Sequence, residues 1–196
     1  MANDSRYLGG AIDAPAADKA ARFLQICDTF GLPVISLVDT PGFMVGPEAE
    51  KTALVRHVSR MFVAAAGITV PIFAVVLRKG YGLGAMAMTG GAFHESLFTI
   101  SWPTGEFGGM GLEGAVHLGF RKELEAKTDP REKQALFDEL LAKMYASGKA
   151  IQAAITAELD AVIDPVETRQ WILAGLRSVP AERLTGGKGR TYIDAW

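Results

Sequence analysis

Arg78-Lys79-Gly80-Tyr81-Gly82-Leu83-Gly84-Ala85-Met86-Ala87-Met88-Thr89-Gly90-Gly91 follows an apolar run, Val70 to Leu77, that has a strand's composition. It leads into small apolar residues suited to a closely packed helix start. Glycine turns the backbone through positive φ and lets another group come close. Glycines at 80, 82 and 84, followed by Ala85, therefore predict a turn whose N–H groups face a ligand. A helix start carries free N–H donors and partial positive charge, so strand, turn and helix together make an anion or oxyanion site. The competing reading is a strand-to-helix turn that only packs, and spacing alone does not choose between them.

Buried strands alternating with helices flank this stretch. Ala16 to Phe30 shows helical spacing, with Ala20, Phe23, Leu24, Cys27 and Phe30 on one stripe. Gly31 fits the end of that helix and Pro33 stands beyond it. Residues 33–39 are a β-branched apolar run that closes in the turn Asp39-Thr40-Pro41-Gly42-Phe43. A helix follows from Pro47 or Glu48 to about Gly67, with Leu54, Val58, Met61, Phe62 and Ala65 on its apolar face. His57 beside that face reads as a packing or surface histidine, not a base. The second strand is 69–77, and a short helix lies near 84–90. A third strand, 97–102, is closed by the loop 103–111 and a helix to Leu118.

Residues 121–145 are charged and helical with a break near Asp129-Pro130. There Leu136, Phe137, Leu140, Leu141 and Met144 form a stripe that needs a partner, either this core or another subunit. A helix fits 149–159, an extended stretch 161–164, and a helix begins at Pro165 and runs to Ser178. Residues 3–15 read as an irregular entry and 180–196 as an arm whose Trp196 either packs on a neighbour or frays. The alternation predicts an α/β domain with mostly parallel pairing, its site at the carboxyl ends of the strands. Loops 39–43, 78–85 and 103–111 are those ends.

The chain has 196 residues, 49% hydrophobic and 21% charged, which is enough for one core of ordinary size. A net charge of −2 without a basic run gives no sign of a nucleic-acid partner. A single cysteine excludes an internal disulfide framework, and Cys27 reads as a buried thiol. No window holds the ~20 apolar residues of a membrane span, and residues 1–6 lack a signal-peptide core, so a cytoplasmic protein is expected.

Several chemistries fall away. Ser36 lies inside a strand run and Ser101 precedes Trp102-Pro103, so no nucleophile elbow forms. No metal-ligand spacing occurs, and His94-Glu95 reads as a solvated pair. A phosphate loop fails because no Lys-Ser/Thr follows Gly84, and no strand precedes Gly186-Gly187-Lys188-Gly189-Arg190-Thr191. The glycines at 80, 82 and 84 miss the dinucleotide fingerprint. Backbone donors that hold a developing oxyanion survive. Asp39 reads as a cap of the 39–42 turn ahead of a base. Glu106 is either catalytic or the partner of Arg78 or Lys79, with the structural role slightly ahead. Arg78 and Lys79 are either a solvated pair or an attractor for an anionic substrate.

Taken together, Val38-Asp39-Thr40-Pro41-Gly42-Phe43, the Arg78 to Ala85 turn and Trp102 to Val116 resemble the carboxyltransferase subunit (beta chain) of biotin-dependent acyl-CoA carboxylases. Leu8 to Asp13, Asp18 to Phe23 and Asp164 to Arg169 fit as well. The resemblance covers nearly the whole chain, but only the C-terminal of the family's two domains.

It implies a crotonase-like (ClpP/crotonase) ββα superhelix with a mostly parallel sheet and packed C-terminal helices. It implies one domain over 1–196, with its core at about 16–120, helices at about 121–180 and a tail at 181–196. In the family this domain binds carboxybiotin, and by position the N–H groups of Leu83 and Gly84 hold the ureido oxygen. Gly80, Tyr81, Gly82, Ala85, Gly42 and Phe43 are then cofactor-binding. Met86, Glu106, Gly109 and Met110 face the substrate side. Carboxybiotin releases CO2, the biotin anion takes an α-proton from acyl-CoA, and the enolate captures CO2.

The partners implied are acyl-CoA, biotin carboxyl carrier protein, biotin carboxylase, an N-terminal carboxyltransferase domain and further copies in a homo-oligomer. No metal is implied in this domain. Propionyl-type members carry Gly-Gly-Ala-Tyr-Asp where this chain has Gly82-Leu83-Gly84-Ala85-Met86, so acyl preference stays open. Two other readings remain: a crotonase-fold enzyme acting directly on acyl-CoA, such as a decarboxylase or hydratase, and a non-catalytic module that oligomerises through residues 131–145.

Overall fold

The computed structural model describes residues 1–181 together with Leu184, Ile193 and Asp194. In chain order the elements are α1 (Ala14–Thr29), β1 (Val34–Thr40), α2 (Pro47–Glu50), α3 (Leu54–Gly67), β2 (Ile72–Tyr81), α4 (Gly82–Met88), β3 (Phe98–Ser101) and β4 (Glu106–Gly108). Then come α5 (Leu112–Gly119), α6 (Arg121–Glu125), α7 (Pro130–Ser147), α8 (Ala150–Ile155), β5 (Ala161–Val162) and α9 (Thr168–Ser178). Single 3-10 turns lie at Leu8–Gly10 and Pro165–Glu167.

The sheet runs β1-β2-β3-β5, and β4 pairs with the far end of β2. These pairings are parallel, with Val34 opposite Ile72, Phe73 opposite Phe98 and Lys79 opposite Glu106. β2 is central and covered on both faces, which is why residues 72–76 are apolar without interruption. On one side Val34, Val38 and Val76 meet Ala17, Leu24, Met61 and Ala85. On the other, Phe73 and Phe98 lie 5.2 Å apart between ring centroids, and Trp171 of α9 meets Phe98 edge-on at 5.8 Å.

Several sequence expectations need correction. On α1 the buried stripe is Ala17, Ala21, Leu24, Cys27 and Asp28, while Phe30 is 69% exposed. Asp28 explains the rotation: its carboxylate accepts from the Thr69 N–H at 2.6 Å and from the Thr69 hydroxyl at 2.9 Å, so a polar side chain turns inward to satisfy the segment that leads into β2. α1 also begins at Ala14, where Asp13 accepts from the Ala16 N–H at 3.0 Å.

The helix expected over 47–67 breaks into α2 and α3 because Ala53 turns left-handed at φ 56°. β2 does not end at Leu77 but runs through Gly80 and Tyr81, held there by β4, which the sequence reading treated as loop. The helix expected over 149–159 stops at Ile155.

The break at Asp129-Pro130 occurs as expected, with Asp129 accepting from the Arg131 N–H at 2.8 Å. The α7 stripe finds part of its partner within this chain, where the His117 ring of α5 stacks on Phe137 at 4.6 Å. The expectations for Trp196 and for the 186–191 stretch lie outside the described residues.

Candidate functional site

The site grows from the end of β2. Tyr81 is extended, and Gly82 then turns to φ +58° and opens α4. A Cβ on Gly82 would stand 2.7 Å from the Gly109 carbonyl oxygen, so both the conformation and the space call for glycine. Two residues on, Gly84 lies against the loop after β1. A Cβ there would come within 2.7 Å of the Gly42 Cα and 2.9 Å of the Phe43 nitrogen. The loops expected to converge do so, through glycine backbones. Between the two close approaches, the Leu83 side chain is 61% exposed. The N–H groups of a helix's first turn have no acceptor within the helix, and their partial positive charge suits an oxyanion.

The loop after β1 is shaped by Thr40, which the sequence reading missed. Its buried hydroxyl accepts from the Gly42 N–H and donates to the Gly42 carbonyl, both at 3.1 Å. Asp39, expected to cap this turn, points elsewhere. Its carboxylate takes a forked pair of bonds from Arg78, at 3.3 and 3.0 Å, and accepts from the Lys79 N–H at 3.1 Å. The hydrogen bond from Arg78 to Asp39, and their charge attraction, raise the guanidinium above its ordinary value. The Lys79 ammonium reaches the Gly9 carbonyl at 2.9 Å. Both cations tie neighbouring segments onto β2.

Glu106 pairs with neither Arg78 nor Lys79. It accepts from the Tyr81 hydroxyl at 2.9 Å, which leaves Tyr81, only 4% exposed, with its polar end occupied inside the protein. Burial, and then the bond to Glu106, push the Tyr81 phenol well above its usual range. Nearby, Tyr145 of α7 donates to Glu113 of α5 at 2.8 Å. That bond, followed by burial, pushes the Tyr145 phenol up to about 12. Residues 113 and 145 are 32 apart in sequence, so no local signal links them.

The other expected site residues divide by burial. Gly80 sits in β2 with the Phe107 ring 3.1 Å from where its Cβ would be, and Ala85 is fully buried. Both shape the site from behind. Phe43 packs edge-on against Phe62 at 6.2 Å. Met86 is half-buried on α4, while Gly109 and Met110 are exposed in the loop beside Gly82.

His57 accepts its packing role, with Nδ1 2.7 Å from Asp18. His94 is largely exposed, 3.9 Å from Glu158. Among the described residues, no group of three or more His, Cys, Asp or Glu could hold a metal ion. Nor is any helix among them long and apolar enough to cross a membrane.

Residues 1–184 match the carboxyl transferase domain family. The methylmalonyl-CoA carboxyltransferase 12S subunit of Propionibacterium freudenreichii subsp. shermanii is 37% identical over 185 residues, covering 94% of this chain and 35% of that protein. The biotin-dependent acetyl-/propionyl-coenzyme A carboxylase beta6 subunit of Mycobacterium bovis is 34% identical over 184 residues, covering 93% of this chain and 38% of that protein.

Among solved structures, a single-chain, multi-domain long-chain acyl-CoA carboxylase is 61% identical with a TM-score of 0.79, covering 88% of this chain and 17% of that one. This chain therefore spans little more than a third of the length of the curated relatives it matches. The α/β fold with its parallel sheet is the crotonase-like fold of these enzymes, and the chain belongs to the carboxyl transferase domain family of acyl-CoA carboxylases.

Proposed function

We propose that this chain is the C-terminal, carboxybiotin-binding domain of an acyl-CoA carboxylase carboxyltransferase, acting as one domain over 1–196. The observation that carries the reading is the contact of Gly84 with Gly42, where a Cβ would come within 2.7 Å of the neighbouring backbone. It seats the start of α4 between two loops with no side chain at positions 82 and 84 to cover the backbone donors. The planar ureido unit of biotin, with its carbonyl oxygen as acceptor, suits such a backbone cradle.

Carboxybiotin, when bound, supplies the carboxyl group. The N–H groups of Leu83 and Gly84 hold the ureido oxygen as it gains negative charge, and one such donor is worth ~3–4 kcal/mol. Gly82 keeps the turn open, and Gly42 and Phe43 back it. Because the donors are preorganised backbone groups, the site needs no side-chain acid or base, in keeping with the internal pairing of Glu106 and Tyr81.

The acyl-CoA is held mostly by an N-terminal carboxyltransferase domain, and a homo-oligomer brings the two domain types together. Biotin arrives on its carrier protein from a biotin carboxylase, and the work is done in the cytoplasm. Identity of 61% with a long-chain acyl-CoA carboxylase favours a long alkyl substituent.

Isothermal titration of the purified chain tests the reading, with a biotin derivative and acetyl-CoA in separate runs, repeated on Gly84→Pro. Biotin binding that Gly84→Pro abolishes, without acetyl-CoA binding, is expected. Acetyl-CoA binding without biotin binding overturns the half-site and leaves an enzyme acting directly on acyl-CoA.

A further inference from the structure

Tyr81 is the last residue of β2 and stands at the N-cap of α4, yet its side chain makes no cap bond for that helix. The ring instead crosses to β4. Its register partner there is Gly108, where a Cβ would lie 3.6 Å from Tyr81 Cδ1 and 3.0 Å from Leu112. Glycine at 108 leaves the ring its path, and the hydroxyl ends 2.9 Å from Glu106 Oε2.

β4 has only three residues, and a strand that short does not hold its own register. On its far side it is fastened to the α7–α8 junction. There the Phe107 N–H donates to the Gly148 carbonyl at 2.7 Å, and the Ala150 N–H donates to the Gly105 carbonyl at 2.9 Å. Directly after β4 comes Gly109, whose carbonyl oxygen faces Gly82.

We infer that the Tyr81–Glu106 hydrogen bond is a latch that sets where the start of α4 stands relative to the Gly109 loop, making both residues positioning residues. Sliding or tilting of β4 moves Gly109 and opens the space beside Gly82, the residue of φ +58° at the start of α4. Arg78 and Lys79 are also near this strand, but they bond to Asp39 and Gly9, so the neutral phenol holds Glu106. The consequence for ligand binding rests on the carboxybiotin half-site reading, whereas the consequence for local geometry does not.

Amide hydrogen exchange on the full chain, followed by peptide, tests the latch in Tyr81→Phe, Glu106→Ala and Glu106→Gln. The amides watched are the hydrogen-bonded ones of α4 from Met86 to Thr89 and those of residues 106–108. Tyr81→Phe and Glu106→Ala should speed exchange there about tenfold, with α1 and α3 unchanged. Glu106→Gln, which still accepts the phenol proton, should stay near the parent.

Unchanged exchange in Tyr81→Phe overturns the latch. So does faster exchange throughout the chain, which marks a general stabiliser, and so does Glu106→Gln behaving as Glu106→Ala. In parallel, a biotin derivative should bind about tenfold more weakly to Tyr81→Phe and Glu106→Ala, with recovery in Glu106→Gln. If the parent binds none, the half-site reading fails, and the exchange pattern alone decides the latch.

Discussion

Gly84 of α4 and Gly42 of the loop after β1 meet backbone to backbone: a Cβ on Gly84 would lie 2.7 Å from both the Cα and the carbonyl carbon of Gly42. The clash is with main chain, which has no rotamer to yield. Gly84→Ala must therefore push α4 and the 42–43 loop apart. Overpacking of this kind costs ~1–3 kcal/mol, and a chain of this size should lose ~2–12 °C in melting temperature. Calorimetry of the variant checks it, and an unshifted melt would show that the two loops separate freely.

Asp39 illustrates a half-hidden carboxylate that joins three segments. It binds Arg78 and the Lys79 N–H, while its own N–H donates to Asn3 at 3.1 Å. Asp39→Ala leaves the Lys79 N–H without its acceptor, a loss of ~1–3 kcal/mol. Asp39→Asn keeps one acceptor and should lose less. Urea unfolding of the two variants side by side reads the difference, and equal midpoints would assign the whole effect to charge.

Acid stability should depend on Asp18. Burial alone would raise its carboxyl, but hydrogen bonds from Arg60 and His57 outweigh it and hold the group below its ordinary value of 3.8. A carboxyl depressed in the folded state contributes stability that is present above 3.8 and fades as pH falls below it. Asp18→Asn should therefore lower the melting temperature at neutral pH and draw level with the parent as acid is added. Parallel curves down to strongly acidic pH would remove Asp18 from the account.

On the opposite face of the sheet, Gly175 of α9 sits where a Cβ would come within 2.7 Å of Phe73 Cε1 and 2.8 Å of Phe98 Cε1. The neighbours are fully or almost fully buried rings. Alanine is the better helix former by ~1 kcal/mol, but overpacking a buried site costs ~1–3 kcal/mol. The two terms oppose, and the fixed rings favour the second. Gly175→Ala should lower the urea midpoint, and a gain would mean that α9 slides outward without cost.

Much of the fold was legible because parallel strands covered on both faces are apolar in most residues. The runs at 33–39 and 69–77 announce themselves, and so do the helices between them. Glycine spacing likewise pointed to the turn at 80–84. Inference failed where a residue's partner was distant. Asp28 turns inward to meet Thr69, Asp39 turns from its own loop to Arg78, and Glu106 finds Tyr81. β4 was invisible for the same reason, since three residues carry no periodicity and pair only because β2 is already there.

Sequence alone determined the alternation of elements, the polarity of the sheet and the three loops at its carboxyl end, since hydrophobic period and glycine content are local properties. The motifs in those loops also carried the family. Only the tertiary structure decided how the loops meet: Gly84 on Gly42, Gly82 on Gly109, and Tyr81 across Gly108 to Glu106. These are contacts between residues 25 to 42 positions apart, and their geometry depends on where the packed sheet and helices leave each backbone.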